Sequence, residues 1–372
     1  MTFSKLMVCM TALGLVCGSN AAHANDAAPA GRSIAYAIND IKWGIYETKD
    51  TKEECPDGLA VMGPREQFKA LYPQDGTKKW KLAETWLERE MSVWAPNLEP
   101  DPFPFREAGG KIAYGLDLDG KTKPTDFTSP DGKTGIDNQL FRVIGCVSNY
   151  RTGASLLQFE SIFQKKMNVD RIMIELTDVD SLANDDDVTI TTYRGRDSLL
   201  MDGTGNNFQP GGTQRIDMRF GKEFIFTAKA KIVNGVLITQ PMNFKMPHEV
   251  NTEEAAYDWL RDARFELKLT PTGAEGLIGG YADVESFHRS RFRTWSTHHS
   301  SYGQQAGGSV YKVLRKLADG FPDPATGENT AISAVYRVKM VQVRVLRPEK
   351  EVASTDAASR AKQLADDGAT AK

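Results

Sequence analysis

Short β-prone segments recur through the second half of this 372-residue chain, and turn sequences separate them. The segments RIMIEL at 171–176 and VTITTY at 188–193 flank an acidic turn at 184–187. The pair Asn234-Gly235 between two further runs is typical of a two-residue β-hairpin loop. The intervals are too short for helical crossovers of a dozen or more residues. The pattern therefore argues against a parallel doubly wound sheet and indicates antiparallel pairing.

Strands at this spacing are typical of two packed antiparallel sheets. We predict a mainly β protein with an antiparallel β-sandwich or jelly-roll-like core, an N-terminal helical region and one or two peripheral helices. Residues 33–47 are β-branched and aromatic enough to supply a further strand, and 334–346 are expected to form the last one. Apolar spacing over 79–93 indicates the N-terminal helix, and one apolar face over 309–318 indicates a peripheral helix.

The start of the chain resembles an export signal. Lys5 precedes an apolar run over 6–16, and Ala22-His23-Ala24 is the small-x-small pattern that signal peptidase recognises. We expect cleavage near Ala24 and a soluble protein in the periplasm or outside the cell, since no later segment has the ~20 apolar residues of a spanning helix. The predicted organisation is a signal peptide over 1–24, an N-terminal helical region with an Asp/Gly-rich loop over 25–150, an antiparallel β domain over 151–348 and a mobile tail over 349–372.

The charge balance argues against nucleic acid as a partner. Lys and Arg number 46 against 49 Asp and Glu, which gives a formal net charge of −3 without long blocks of one sign. Nucleic-acid binding proteins usually concentrate positive charge. The partners that remain are an anionic small molecule, a glycan or an envelope protein.

The cysteine count suggests one disulfide. Cys9 and Cys17 lie in the predicted signal peptide, which leaves Cys55 and Cys146. An oxidising compartment favours a bond between these two. A pair of free thiols or a pair of metal ligands is the alternative.

Residues 115–138 form a segment rich in Asp, Gly and Pro, and clustered carboxylates with tight turns suit a hard cation such as calcium. The predicted calcium ligands are Asp117, Asp119, Asp131 and Asp137. The spacing of an EF-hand is absent, because Gly120 comes two residues too early after Asp117 and no Glu closes the loop. The alternative interpretation is a solvated connection whose Asp, Gly and Pro residues only make turns.

A second candidate site is the basic and aromatic run at 287–299. If this run is a strand, Arg289, Arg291 and Arg293 share one face with Trp295 in the same register. Three guanidinium groups on one face would bind a carboxylate, phosphate or sulfate group. A solvated face that pairs with local acids is the alternative.

The same run contains three histidines, His288, His298 and His299. They are the alternative metal ligands, for zinc or copper, and the candidates for general acid–base work. The neighbours His298 and His299 point to opposite sides of an extended chain, so a regular strand cannot direct both to one metal. Surface or structural histidines would explain the same residues.

Motifs that define common enzyme classes are missing. The sequence has no G-x-S-x-G, H-E-x-x-H, Walker loop, C-x-x-C-H or G-x-G-x-x-G after a strand. Whether the protein is an enzyme therefore stays open. The first hypothesis is an exported binding or accessory module of the bacterial envelope, stabilised by calcium, with an arginine and aromatic face for an anionic ligand or partner. The alternative is a periplasmic hydrolase or metal-dependent enzyme with a histidine-containing site.

Overall fold

The computed structural model describes residues 32–47, 105–146, 150–151, 162, 164–166, 171–248, 257–292 and 307–347. The strands in these segments are β1 (Arg32–Trp43), β2 (Ile172–Val179), β3 (Asp185–Arg194), β4 (Gly212–Arg215), β5 (Phe226–Val233), β6 (Val236–Thr239), β7 (Met242–Pro247), β8 (Tyr257–Thr270), β9 (Gly273–Asp283), β10 (Gly320–Pro322) and β11 (Asn329–Leu346). The helices are α1 (Leu140–Ile144), α2 (Val284–Phe292) and α3 (Gly307–Leu317), with a short 3-10 helix at Met218–Phe220. The predicted signal peptide, the helix at 79–93 and the tail lie outside the described residues.

Eight strands close into an antiparallel barrel, in the order β1-β2-β3-β5-β6-β8-β9-β11 and back to β1. β1 makes the closure because it pairs on both sides: Tyr36 lies opposite Ile174 of β2 and opposite Gln342 of β11. The predicted β-sandwich or jelly-roll core is therefore wrong, although antiparallel pairing is confirmed for these eight strands. Alternating apolar residues identify a buried face, but they do not show whether that face packs on a second sheet or curls around its own core.

The barrel interior is filled by side chains. Alternate residues of the strands point inward, among them Tyr36 and Ile38 of β1, Phe265 of β8, and Tyr336 and Val338 of β11. They belong to one hydrophobic cluster, as expected for a barrel of eight strands, whose interior is just wide enough for side chains to fill. Hydrophobic burial on the inner face is therefore the main stabilising contribution to this fold.

β8 and β9 approach each other closely at Gly276. A Cβ atom at this position would lie 2.1 Å from the carbonyl oxygen of Glu266 on β8. Only glycine allows this separation without movement of the backbone. Gly276 therefore allows β8 and β9 to approach closely, and glycine at such positions accompanies the strand curvature of a closed barrel.

Two connections cover parts of the outer wall. The segment between β3 and β5 packs Leu199 and Phe208 on Ala37, Met173 and Val343. On another part of the wall, Leu116 and Leu118 of the Asp/Gly-rich loop pack on Tyr281 and Ala331. The outer faces of β1, β11, β9 and β8 remain partly uncovered and line an open groove.

α2 and α3 pack against the barrel core. Phe287 of α2 and both Val310 and Leu314 of α3 belong to the interior cluster, and the Phe287 ring lies 5.8 Å from that of Trp43. The peripheral helix expected at 309–318 is confirmed as α3, and the last strand expected at 334–346 lies within β11. Among the described helices, none has the length and hydropathy needed to span a bilayer.

Candidate functional site

The Asp/Gly-rich loop folds back on itself before it reaches α1. Backbone bridges join Leu116 to Asp137 and Phe127 to Ile136. Short aspartate turns shape the tip, since Asp117 Oδ1 accepts from the Gly120 N–H at 2.7 Å and Asp119 Oδ1 accepts from the Lys121 N–H at 2.9 Å. Local turn chemistry and one bridge therefore direct aspartates from both ends of the loop toward one place.

Asp117, Asp119 and Asp137 come together there. One carboxylate oxygen from each lies within 4.8 Å of the other two. Calcium holds its oxygen ligands at ~2.3–2.6 Å, so oxygens on opposite sides of one ion are up to about 5 Å apart. The spacing of this group, which we call the carboxylate group, therefore fits a single ion.

Asp137 is the most buried member of the carboxylate group, with 1% of its surface exposed. Its Oδ2 accepts from the Leu118 N–H at 2.7 Å, whereas its Oδ1 is buried and accepts no hydrogen bond from the described residues. Burial raises the pKa of Asp137 to about 6, and the charges of Asp119, Asp126 and Asp319 add to the effect. A cation near this carboxylate would favour its charged form.

Two basic residues contact the same loop. The Lys123 ammonium forms an ion pair with Asp119, and this bond raises the pKa of Lys123 above its usual value. Arg264 of β8 donates to the carbonyl oxygens of Asp117 at 2.6 Å and of Leu118 at 2.9 Å. Arg264 thereby fastens the loop to the barrel wall through backbone oxygens of the loop.

Asp131 is separate from the carboxylate group. It lies in an exposed turn, where it accepts a hydrogen bond from the Ser129 hydroxyl, and it lines the groove.

Asp319, from the segment that follows α3, is the acid that sequence reasoning missed, because it is almost 200 positions away in the chain. Its carboxylate accepts from the Ser333 N–H at 2.6 Å and from the Ser333 hydroxyl at 2.7 Å.

The groove on the outer wall has a volume of about 450 Å³, and part of its floor is apolar where Leu116 and Leu277 line it. Four acidic residues and five basic residues also line it. The basic residues are Lys42, Lys133, Lys268, Arg337 and Lys339. A second hollow of about 410 Å³ shares Lys268, Glu275 and Lys339 with it.

Most charges on the groove floor alternate across the strands. Lys339 of β11 lies between Asp40 of β1 and Glu275 of β9, and Glu275 also faces Lys268 of β8. Opposite charges in such cross-strand positions offset one another. This row of the wall is therefore explained by sheet stability alone.

Arg337 differs from that row. Its cross-strand neighbours are Lys42 on β1 and Leu277 on β9, so a like charge lies opposite it and no acid does. The guanidinium carbon lies 4.0 Å from the centre of the Tyr114 ring. Within the described part of the chain, Arg337 forms no ion pair. It is a half-buried, oriented cation that no acid of the described residues contacts directly.

No known protein family, curated protein or solved structure matches this chain. Its function is therefore inferred from the chemistry of the carboxylate group and the groove.

The predicted arginine face is not built as a strand, because 284–292 form helix α2. In a helix, Arg289 and Arg291 are about 200° apart around the axis, so they leave on different sides. Arg289 is exposed, while Arg291 is buried and donates from Nη2 to Asp258 Oδ2 at 2.6 Å. Arg293 and Trp295 lie outside the described residues.

The described histidines are buried. His288 has 4% of its surface exposed and its ring centre lies 5.3 Å from that of Tyr311; His298 and His299 are outside the described residues. His248 was not singled out from the sequence, yet burial and the charge of Arg291 hold its pKa well below the usual value.

Cys146 is buried next to α1, and its predicted partner Cys55 lies outside the described residues.

Proposed function

We propose that this protein is a binding module for a small anion with a carboxylate or phosphate group, which it holds in the groove on the outer wall of the barrel. The observation that carries the proposal is Arg337, a half-buried guanidinium over the Tyr114 ring without a carboxylate partner among the described residues. A guanidinium group can donate two parallel hydrogen bonds to a carboxylate or phosphate group.

The local charge pattern supports an anionic ligand. Arg337 and Lys42 lie opposite each other on neighbouring strands, and like charges in that position are destabilising. Asp40 offsets Lys42 only in part, since its carboxylate is 3.5 Å from the ammonium. Lys133 adds a further positive charge to the same lining. An oxyanion bound between these side chains would remove the repulsion.

The shape of the groove supports a small ligand with a partly apolar body. A volume of about 450 Å³ is within the usual range for sites that bind small molecules. Leu116 and Leu277 offer apolar contact beside the basic residues. Of the partners that the sequence allows, a small anion fits this concave site better than the flat surface of an envelope protein.

Export, the disulfide and the calcium ion remain part of the proposal. We infer that the module works in the periplasm or outside the cell, that Cys55 and Cys146 form a disulfide, and that calcium braces the Asp/Gly-rich loop through the carboxylate group. The support is the export pattern, the cysteine count and the spacing of the three carboxylates. The alternative enzyme with His288, His298 and His299 stays a prediction, because two of its three histidines lie outside the described residues.

Anion binding is tested by thermal shift and calorimetry with sodium phosphate and with citrate, against sodium chloride of equal ionic strength. We expect at least one of the two to raise the melting temperature of the purified protein. Arg337→Met should lower the affinity about tenfold or more, since hydrogen bonds to a charged group contribute about 1.5–3 kcal/mol. A response to phosphate alone indicates an inorganic oxyanion, and a response to citrate alone indicates an organic carboxylate.

The control is Arg344→Met, which removes an exposed arginine from the same strand outside the groove. It should bind the anion as the native protein does. If neither anion binds, or if Arg344→Met weakens binding as much as Arg337→Met does, the groove is not the ligand site.

A further inference from the structure

The carboxylate group already has a cation beside it, which is the side chain of Lys123. Its ammonium forms an ion pair with Asp119 and also interacts electrostatically with Asp137 and Asp126. Lysine and calcium therefore offer positive charge to the same oxygens. The ammonium group and a calcium ion cannot occupy the centre of the carboxylate group at the same time.

We propose that the carboxylate group is a calcium site in which Lys123 is an internal competitor that calcium must displace. The inference rests on the calcium part of the proposed function and is independent of anion binding in the groove. It assigns Lys123 the role of setting calcium affinity, so that the loop responds to the calcium concentration instead of holding the ion permanently.

Asp137 supplies the observation that points to a ligand beyond the lysine. It is 1% exposed, and its Oδ1 is buried without a hydrogen-bond donor among the described residues. Lys123 bonds directly to Asp119 and not to this oxygen. Buried polar atoms nearly always have a partner, and a carboxylate without one is costly. The other oxygen, Oδ2, accepts only from the Leu118 N–H among the described residues, so a divalent ion bound by Asp137 would give Oδ1 the partner that the lysine does not supply.

The attachment of Lys123 suits reversible displacement. The residue lies four positions after Asp119, and its own N–H donates to Asp126 Oδ2 at 2.6 Å. The backbone therefore stays in place whether or not the ammonium is bound. The side chain is 37% exposed, so it has a path to solvent without any unfolding of the loop. Three carboxylates against one ammonium also leave an excess of negative charge that a divalent ion reduces further.

The ligand chemistry favours calcium over a softer metal. All three groups offer carboxylate oxygen, and neither histidine nor cysteine belongs to the described group. The carbonyl oxygens of Asp117 and Leu118 are engaged by Arg264, so water molecules would complete the six to eight oxygens that calcium takes. A site with three protein ligands and several waters is expected to bind calcium weakly. A competing lysine then changes the measured calcium affinity.

The test is calcium titration by calorimetry on the mature protein after chelation, for the native chain, Lys123→Met and Lys121→Met. We expect Lys123→Met to bind calcium about two- to fivefold more tightly, which is the size of the contribution that a partly exposed competing ion pair makes. Lys121 is the matched control, because it is the neighbouring exposed lysine and only its backbone N–H contacts Asp119. Lys121→Met should shift the affinity much less.

Melting temperatures give a second, independent measurement. In EDTA, Lys123→Met should melt below the native protein, because three carboxylates then lack their counter-charge; in saturating calcium, the order should reverse. Asp137→Asn should abolish calcium binding both in the native chain and in Lys123→Met. If calcium binds to none of the variants, both the site and the competition are wrong. If Lys123→Met and Lys121→Met bind calcium with the native affinity, the site stands and the competition is overturned.

Discussion

At the residue scale, buried charges and polar groups mark the places where this barrel departs from a simple hydrophobic core. Asp258 is fully buried, and it accepts hydrogen bonds from Arg291 and, at 3.1 Å, from the Tyr336 hydroxyl. A buried carboxylate with this many donors is satisfied and gives the network a defined geometry. Arg337 is the opposite case, since the sheet orients its charge and the described residues form no ion pair with it.

His248 should make stability depend on pH. Burial and the charge of Arg291 depress its pKa in the folded state well below 6.5, so the unfolded chain binds this proton first as the pH falls. The free energy of unfolding should therefore decrease below pH 6.5, by at most ~1.4 kcal/mol per pH unit from this group. Urea unfolding of the native protein and His248→Gln at pH 8 and pH 5.5 measures it. An equal loss of stability in both proteins would contradict the assignment.

At the element scale, hairpins and loops determine where side chains meet. The loop at 115–138 brings Asp117, Asp119 and Asp137 together through its own turns and one bridge, a local event within some twenty residues. The outcome at 284–292 differs from the expected strand, because the segment follows β9 directly and forms α2 against the barrel core. Alternating arginines are compatible with both structures, and packing of Val284 and Phe287 favoured the helix.

Gly276→Ala should destabilise the β8–β9 hairpin. The new Cβ would meet the Glu266 carbonyl oxygen at 2.1 Å, and relief requires a shift of the backbone in two barrel strands. We expect a loss of about 1–3 kcal/mol, the usual cost of overpacking. Chemical denaturation measures it, with Gly203→Ala as the control because no atom lies within 4 Å of that position. Equal stability of the two variants would show that the wall does not need glycine here.

At the scale of the whole molecule, closure of the barrel is the central fact. β1 pairs with β2 and with β11, so a segment from the start of the described chain joins two strands that are far apart in sequence. The groove depends on this closure, since Lys42 reaches Arg337 only across the β1–β11 pairing.

Native-state hydrogen exchange should reveal the closure. Amides of β1 between Ala35 and Ala37 are in a strand bonded on both sides, and we expect them to exchange only through global unfolding. Amides of β10, which pairs with β11 alone, should exchange through local opening with a lower free energy. Exchange of β1 at the rate of β10 would argue for an open sheet.

The sequence by itself determined the local features of this protein. The hairpin at Asn234-Gly235, the amphipathic face of α3 and the antiparallel strands follow from turn chemistry and from the periods of 2 and 3.6 residues. Only the tertiary structure decided that the sheet closes, that Asp319 approaches the aspartate loop and that Arg337 lacks an acid opposite it. A residue period identifies which face is buried, but the pairing that closes the barrel joins residues as distant in the chain as Ala35 and Val343, which no local pattern encodes.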